Sequence, residues 1–171
     1  MSPSWRLLAA ALLTAAWLGA ALLTVAVVAP RAFGVLPRTV AGTLVGSVLP
    51  TLFVAGLVLA VGVALLSGRH GAPAGAAAAA LLAGAACAVA QFGIDPRIAH
   101  LRAQIDGPLE GLQADDPRRV AFGVLHGYSV AGLGVAMLAA TVSLGFLLFA
   151  LRESPDAPHS SDRTTHAPSR Q

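Results

Sequence analysis

The sequence predicts an all-α polytopic membrane protein, with four transmembrane helices in two antiparallel hairpins and one short interfacial helix. The first reason is that four long runs carry almost no charge: residues 7–30, 39–68, 71–94 and 120–151. The core of a bilayer is roughly 30 Å thick, so about 20 apolar helical residues cross it. The second reason is composition. Hydrophobic residues make up 56% of the 171 residues and charged residues only 11%, against about 25% charged in soluble domains.

The first two runs predict spans over about residues 5–29 and 39–67. The first run exceeds the roughly 7–15 apolar residues of a signal-peptide core, so we expect an uncleaved span. Pro30 is expected to end that span, because proline lacks the N–H that continues a helix. Pro50 falls in the middle of the second span and is expected to bend it.

The third run predicts a span over residues 74–92, with Gly93 as its stop. The polar segment that follows begins with Asp95-Pro96, which is typical of a capping residue and the first position of a new helix. Three apolar residues then share one helical face: Ile98, Leu101 and Ile105. This pattern predicts a short amphipathic helix over about residues 97–106 at the membrane interface, ended by Gly107-Pro108.

The fourth run predicts the longest helix, over about residues 117–152, with Asp116 as its N-cap. The last segment, residues 153–171, is rich in Ser, Thr, Pro, Asp and His and is expected to be disordered. The chain is therefore predicted to hold one four-helix transmembrane domain, residues 5–152, and a polar tail.

Charge and cysteine usage exclude several classes of protein. The net charge is +3, but the basic residues are scattered arginines without interleaved aromatics, which disfavours nucleic-acid binding. Cys87 is the single cysteine, so the chain forms no internal disulfide, zinc–cysteine cluster or CxxC pair. No enzymatic motif is present, and we expect neither catalytic activity nor a cofactor.

Polar residues concentrate at one side of the predicted membrane domain. Four alternating spans place the first and third loops on one side and the second loop and both termini on the other. The polar residues at or near the first side form a candidate cluster: His126, Ser129, Gln91, Thr43, Thr39, Asp95 and Arg31. Polar groups inside a membrane are costly, and they often mark functional sites.

His126 is the only residue within the four runs that titrates near neutral pH, and it allows two interpretations. It is either a structural hydrogen-bonding residue, with partners such as Gln91 and Thr43, or a functional group for protons, metal or ligand. Thr39, Thr43, Ser47 and Thr51 form a hydroxyl stripe with the same ambiguity. Their hydroxyls either bond the preceding turn of their own helix or line a polar groove that faces His126.

Small residues at helical spacing predict close contacts between the spans. Aromatic residues make up only 5% of the chain, and small side chains let helix backbones approach in membranes. The glycines expected at these contacts are Gly42, Gly46, Gly84, Gly123 and Gly127.

Three short motifs resemble the transmembrane-protein-205-like family, a domain of unknown function. They are Pro30-Arg31-Ala32-Phe33, Asp95-Pro96-Arg97-Ile98, and the stretch from Phe122 to Ser129 that includes Leu125-His126. The resemblance covers roughly residues 5–150 and implies a four-helix membrane fold without an agreed activity. A weaker similarity is to copper-resistance-type membrane proteins, which also place a lone histidine in a helix.

These observations favour a non-enzymatic integral membrane protein that supports a membrane process or a partner through the one-sided polar cluster. A small transporter or permeation subunit, in oligomeric form, is the first alternative, and a metal- or haem-binding subunit is the second. The expected partners are the lipid bilayer and a second copy or another membrane protein. The expected location is the cell membrane, with the first and third loops cytoplasmic because they hold six of the 11 arginines.

Overall fold

A computed structural model describes residues 3–67, 74–105 and 107–153, and these residues form helices and short loops without a strand. Four helical spans are long and apolar enough to cross a membrane, which confirms the predicted fold class. We number them span 1 to span 4 in chain order: Trp5–Val35, Arg38–Ser67, Ala74–Ala103 and Pro117–Glu153. The predicted disordered tail lies outside the described residues, apart from Glu153, which is the last residue of span 4.

Spans 1 and 3 are each built from three helical segments. Span 1 consists of α1, a π-helix and α2: Pro3–Leu23, Thr24–Val28 and Ala29–Val35. Span 2 is the single helix α3, Arg38–Ser67. Span 3 consists of α4, a second π-helix and α5: Ala74–Ala88, Val89–Ile94 and Asp95–Ala103. A 3₁₀ turn, Leu109–Gly111, precedes α6, Pro117–Glu153, which forms span 4.

The expectation that Pro30 and Gly93 end their helices is wrong. Spans 1 and 3 each contain a π-helical backbone hydrogen bond, between residues five apart, just before Pro30 and Pro96. In span 1 the Ala29 N–H donates to the Thr24 carbonyl, and in span 3 the Asp95 N–H donates to the Ala90 carbonyl. The wider π-turn removes the need for the N–H that proline lacks, so the helix continues.

The short interfacial helix is therefore a continuation of span 3 rather than a separate element. It is α5, and its first residue is already helical. Asp95 consequently does not cap a helix start, because the residues before it are helical and their backbone groups are already bonded. Gly107 has a φ of +98° and turns the chain away after α5, at the position where the break was expected.

The start of α6 agrees with its predicted cap. The Asp116 carboxylate accepts the Arg118 backbone N–H at 2.8 Å and pairs with the Arg118 guanidinium at 2.8 Å. These Arg118 hydrogen bonds lower the pKa of Asp116 from 3.8 to about 2. The cap is therefore fully charged above pH 4 and is lost as the pH falls through about 2.

The four spans form a bundle in which each span contacts its neighbours in the chain, and span 4 closes the ring against span 1. Spans 1, 2 and 3 meet at Trp17, Gly56 and Cys87. A Cβ atom on Gly56 would lie 2.8 Å from Cys87 Sγ and 2.8 Å from Trp17 Cζ2. Trp17 Nε1 also donates a 3.0 Å hydrogen bond to the Leu52 carbonyl. Only glycine therefore allows this contact.

The half of the bundle near the termini is packed just as closely. A Cβ atom on Gly84 would lie 2.7 Å from that of Ala60, and one on Gly75 would lie 2.9 Å from the Phe146 ring. Ser143 is fully buried and donates a 2.8 Å hydrogen bond to the Ala76 carbonyl, which joins spans 3 and 4. Interhelical packing of this kind holds membrane helices together, since lipid provides no hydrophobic driving force between them.

Substituting Gly56 with alanine should destabilise the bundle by about 1–3 kcal/mol, because the added methyl overpacks a close contact. Gly62→Ala in the same helix is the matched control, since no atom lies within 4 Å of its added Cβ. The control should be neutral or stabilising by up to about 1 kcal/mol, as alanine favours a helix interior. The free energy of unfolding in detergent micelles measures both, and equal effects would contradict the packing described.

Candidate functional site

The bundle opens at the end that carries the first and third loops. A cavity of about 960 Å³ lies there, at the upper end of the range of roughly 300–1,000 Å³ typical of ligand sites. Residues of α3, α5 and α6 form its walls, Phe33 of α2 closes one side, and Gly107-Pro108-Leu109 forms part of the rim. Because α3 contributes residues from Arg38 to Phe53, the cavity extends about 22 Å along that helix.

Five of the seven residues of the predicted cluster line this cavity: Thr39, Thr43, Asp95, His126 and Ser129. They come from α3, α5 and α6, so the structure brings together residues that are far apart in sequence. The other two predicted members, Gln91 and Arg31, do not line it. Gln91 lies in the second π-helix, where its buried Oε1 has no hydrogen-bond partner among the described residues. Arg31 is exposed on α2.

His126 does not form the hydrogen bonds to Gln91 and Thr43 that the structural interpretation requires. Its ring instead stacks on Phe122, one turn earlier in α6, with the ring planes 4° apart and the centroids 6.1 Å apart. The side chain is exposed to the cavity. Neither ring nitrogen has a partner among the described residues, which leaves both available to a ligand.

Arg102 is the main cavity residue that the sequence analysis missed. Its guanidinium carbon lies 5.0 Å from the centroid of the Phe122 ring, in a cation–π contact. Its Nη2 is only 3.6 Å from the place where a Cβ on Gly42 would lie. One arginine of span 3 thus reaches span 2 at Gly42 and span 4 at Phe122. Two features of the sequence could have indicated this contact: Arg102 lies on the short amphipathic helix, and the aromatic Phe122 lies four residues before His126.

Two hydroxyls of the α3 stripe both bond to their own helix backbone and line the cavity, so both interpretations of the stripe apply. Thr43 Oγ1 donates to the Thr39 carbonyl at 2.9 Å, and Ser47 Oγ donates to the Leu44 carbonyl at 2.7 Å. Both residues also line the cavity. Because each hydroxyl proton is engaged with the backbone, the oxygens present only acceptor lone pairs to the cavity. Thr51 belongs to a second, apolar cavity of about 780 Å³ on the outside of α1 and α3.

The glycines expected at helix contacts separate into two groups. Gly84 lies against Ala60, as described above, whereas a Cβ on Gly46, Gly123 or Gly127 would meet no atom within 4 Å. Gly42 faces the Arg102 side chain instead of another helix backbone. Among the described residues, the expected close helix contacts of Gly42, Gly46, Gly123 and Gly127 are therefore absent: Gly42 and Gly46 border the cavity, and Gly123 and Gly127 are exposed on α6.

The cavity ends where the packed core begins. Phe53 is only 2% exposed and belongs both to the cavity wall and to the core cluster. Ser129 is also buried at this level. Beyond it, Trp17, Leu133 and Ala136 fill the space between the spans. The cavity is thus open at one end and closed by packed side chains at the other.

The third loop is held at the cavity rim by the first residues of α6. Arg119 Nη1 donates to the Leu112 carbonyl at 2.9 Å, and Arg118 Nη1 reaches the Gln104 carbonyl at 3.4 Å. Gln104 in turn bonds the His100 ring at 2.9 Å, so this histidine is engaged outside the cavity. No group of three His, Cys, Asp or Glu side chains is placed to hold a metal ion within the described ranges.

Comparison with known proteins gives one finding. Residues 12–106 match a protein family described as "Domain of unknown function (DUF4149)". The match covers more than half of the chain and includes span 1 from residue 12 onward and all of spans 2 and 3, while span 4 lies beyond it. No curated protein and no solved structure matches the chain.

Replacing His126 with glutamine should change the stability of the bundle by less than about 0.5 kcal/mol, because the ring is exposed and stacks on Phe122 of its own helix. Ser143→Val in the same helix is the comparison. It removes the bond to Ala76 and adds volume to a fully buried position, so about 1–3 kcal/mol should be lost. Thermal unfolding in detergent distinguishes the two, and a large loss for His126→Gln would show that the residue supports the fold.

Proposed function

Because the chain belongs to the DUF4149 family, whose function is unknown, we propose its role from the cavity. We propose that this multi-pass membrane protein is non-enzymatic and binds a small amphiphilic molecule in the cavity at the end of the first and third loops. Through this one-sided polar cluster it supports a membrane process. The observation that carries the proposal is a cavity of ligand size, about 960 Å³, in a bundle that is otherwise packed.

The lining of the cavity supports an amphiphilic ligand. Its inner wall is apolar and includes Val45, Leu49 and Phe53, while its outer part holds Arg38 and Arg102. Ligand sites of this kind combine apolar walls with a few polar groups that fix the orientation of the ligand. The cavity is also bounded by exposed residues of α3, so a molecule in the membrane can reach it.

Binding without chemistry fits the side chains better than catalysis does. Ser129 is buried and His126 is exposed, and no hydrogen bond joins them in the described part of the chain. A nucleophile needs a base within hydrogen-bond reach. A continuous path for transport is disfavoured in one chain, because Trp17, Leu133 and Ala136 fill the bundle beyond the cavity.

We further propose that the chain is of the transmembrane-protein-205-like type within this family. Its Phe122-to-Ser129 motif supplies both the Phe122–His126 stack and the buried Ser129 of the cavity. This motif lies beyond the matched residues 12–106, so the proposal rests on the motif's resemblance to that family. The cell membrane, with the first and third loops on the cytoplasmic side, is the proposed location, from the arginine distribution.

Blocking the cavity with Thr43→Trp should strongly reduce amphiphile occupancy. The purified full chain in detergent micelles is irradiated with lipids that carry a photoreactive acyl chain, and the crosslinked residues are mapped by mass spectrometry. Crosslinks to Leu49 and Ile98 in the cavity are divided by crosslinks to the lipid-facing Leu138. This ratio should fall about tenfold in Thr43→Trp, equivalent to about 1.4 kcal/mol of binding free energy.

Leu44→Trp is the matched control, because Leu44 is adjacent and exposed but does not line the cavity. It should leave the crosslinking ratio unchanged. The proposal fails if Leu49 and Ile98 are crosslinked no more than their neighbours outside the cavity, or if both tryptophan variants give the wild-type ratio.

A further inference from the structure

Among the described lining residues, the mouth of the cavity carries a net positive charge. Arg38 and Arg102 line it, and Asp95 is the one acidic residue among the described lining residues. The one ion pair among the described residues is Arg118–Asp116, which does not line the cavity, and no described carboxylate oxygen lies within 4.0 Å of Arg38 or Arg102. Arg38 is also the first residue of α3, and the N-terminus of a helix adds partial positive charge. An anionic group would therefore be stabilised at this mouth.

Arg102 is held in a position that suits an oxyanion. Its guanidinium lies over the Phe122 ring and close to Gly42, so its position is restricted by two other spans. No hydrogen bond to a described residue engages its N–H groups. Those donors lie at the edge of the guanidinium plane, and they match the oxygens of a phosphate or carboxylate in a two-point contact. The cation–π contact with Phe122 already restricts the Arg102 side chain, so binding an oxyanion costs less conformational entropy.

An apolar surface continues from the cavity along α3. Ser47 lines the cavity, and Thr51, one turn further, lines the second cavity with Val54 and Val58. Leu13 of α1 forms the opposite wall of this groove. Residues spaced by four lie next to one another on a helix surface, so Thr43, Ser47 and Thr51 form an edge of α3 where the first cavity meets the apolar groove. A molecule with an anionic head and an acyl chain matches this arrangement.

We propose that the ligand is an anionic phospholipid of the surrounding bilayer. Its phosphate pairs with Arg102, with Arg38 nearby, and one acyl chain runs along the apolar face of α3 past Ser47 towards Val58. This inference rests on the proposed function and specifies the chemistry of its ligand.

Titration with two lipids tests the inference. The full chain in uncharged detergent is titrated with phosphatidylglycerol or phosphatidylcholine of equal acyl length, and native mass spectrometry counts the bound lipid. The wild type should bind the anionic lipid about tenfold more tightly than the zwitterionic lipid. Arg102→Gln should remove most of this preference, because glutamine cannot form the charge-assisted hydrogen bonds to the phosphate.

Arg97→Gln is the matched control, because Arg97 is an exposed arginine of the same helix that does not line the cavity. It should retain the preference of the wild type. Arg102→Lys retains the charge but loses the planar two-point contact, and its preference should fall between wild type and Arg102→Gln. Thermal unfolding of each variant is measured alongside to detect a folding defect. If Arg102→Gln does not fold, Arg102→Lys serves as the test variant.

The outcomes separate this inference from the proposed function. If the wild type binds both lipids equally and Thr43→Trp loses that binding, the anionic preference is overturned and the proposed function stays intact. If the wild type binds neither lipid more tightly than Thr43→Trp does, both the anionic preference and the proposed function are overturned. Equal losses in Arg97→Gln and Arg102→Gln would indicate general surface attraction and overturn the assignment to Arg102. Displacement of the anionic lipid by an equal concentration of inorganic phosphate would show a free-anion site and overturn the lipid proposal.

Discussion

The fold depends on the close approach of spans 1, 2 and 3 at Gly56. The missing side chain lets the Trp17 indole lie against α3 and donate to the Leu52 carbonyl, while Cys87 fills the space from span 3. In a bilayer, helices are joined by such van der Waals contacts and hydrogen bonds, because lipid tails are as apolar as the helices. This contact fixes the middle of the bundle and, with Phe53 just beyond it, sets the depth at which the cavity ends.

A second constraint acts at the open end, where both odd-numbered spans change their hydrogen bonding. Spans 1 and 3 each contain a π-helix followed by a Pro-Arg pair, Pro30-Arg31 in one and Pro96-Arg97 in the other. Inside a membrane, backbone groups must find partners within the protein, and the π-turn allows the helix to pass the proline. Helical segments of this type frequently occur at functional sites. Here the second one leads directly into α5, which carries Asp95 and Arg102 to the cavity.

Much of the architecture could be predicted from the sequence, because span length is a direct consequence of membrane thickness. The uncharged runs located all four spans, and Asp116-Pro117 located the start of α6. The one-sided position of Thr39, Thr43, Asp95, His126 and Ser129 also followed from counting alternating spans. In contrast, proline and glycine are ambiguous local signals: Pro30 and Gly93 end helices in many proteins, but a π-turn overrides them here.

The details of the cavity depend on contacts between spans, which a sequence does not state. The position of Arg102 over Phe122 and beside Gly42 requires three spans to be placed together. The small residues at 46, 123 and 127 satisfy the usual spacing for helix contact, yet they border open space. Spacing alone shows that a close approach is permitted. Whether it occurs is decided by the larger side chains nearby.

The central claim is that the bundle is open at one end and closed beyond Phe53. Single cysteines along α3, in a Cys87→Ala background, test it with a water-soluble thiol reagent applied to the protein in its membrane. Thr43→Cys and Ser47→Cys should react, whereas the lipid-facing Leu44→Cys and the buried Val63→Cys should not. Reaction at Val63 as fast as at Thr43, or no difference between Thr43 and Leu44, would contradict the account.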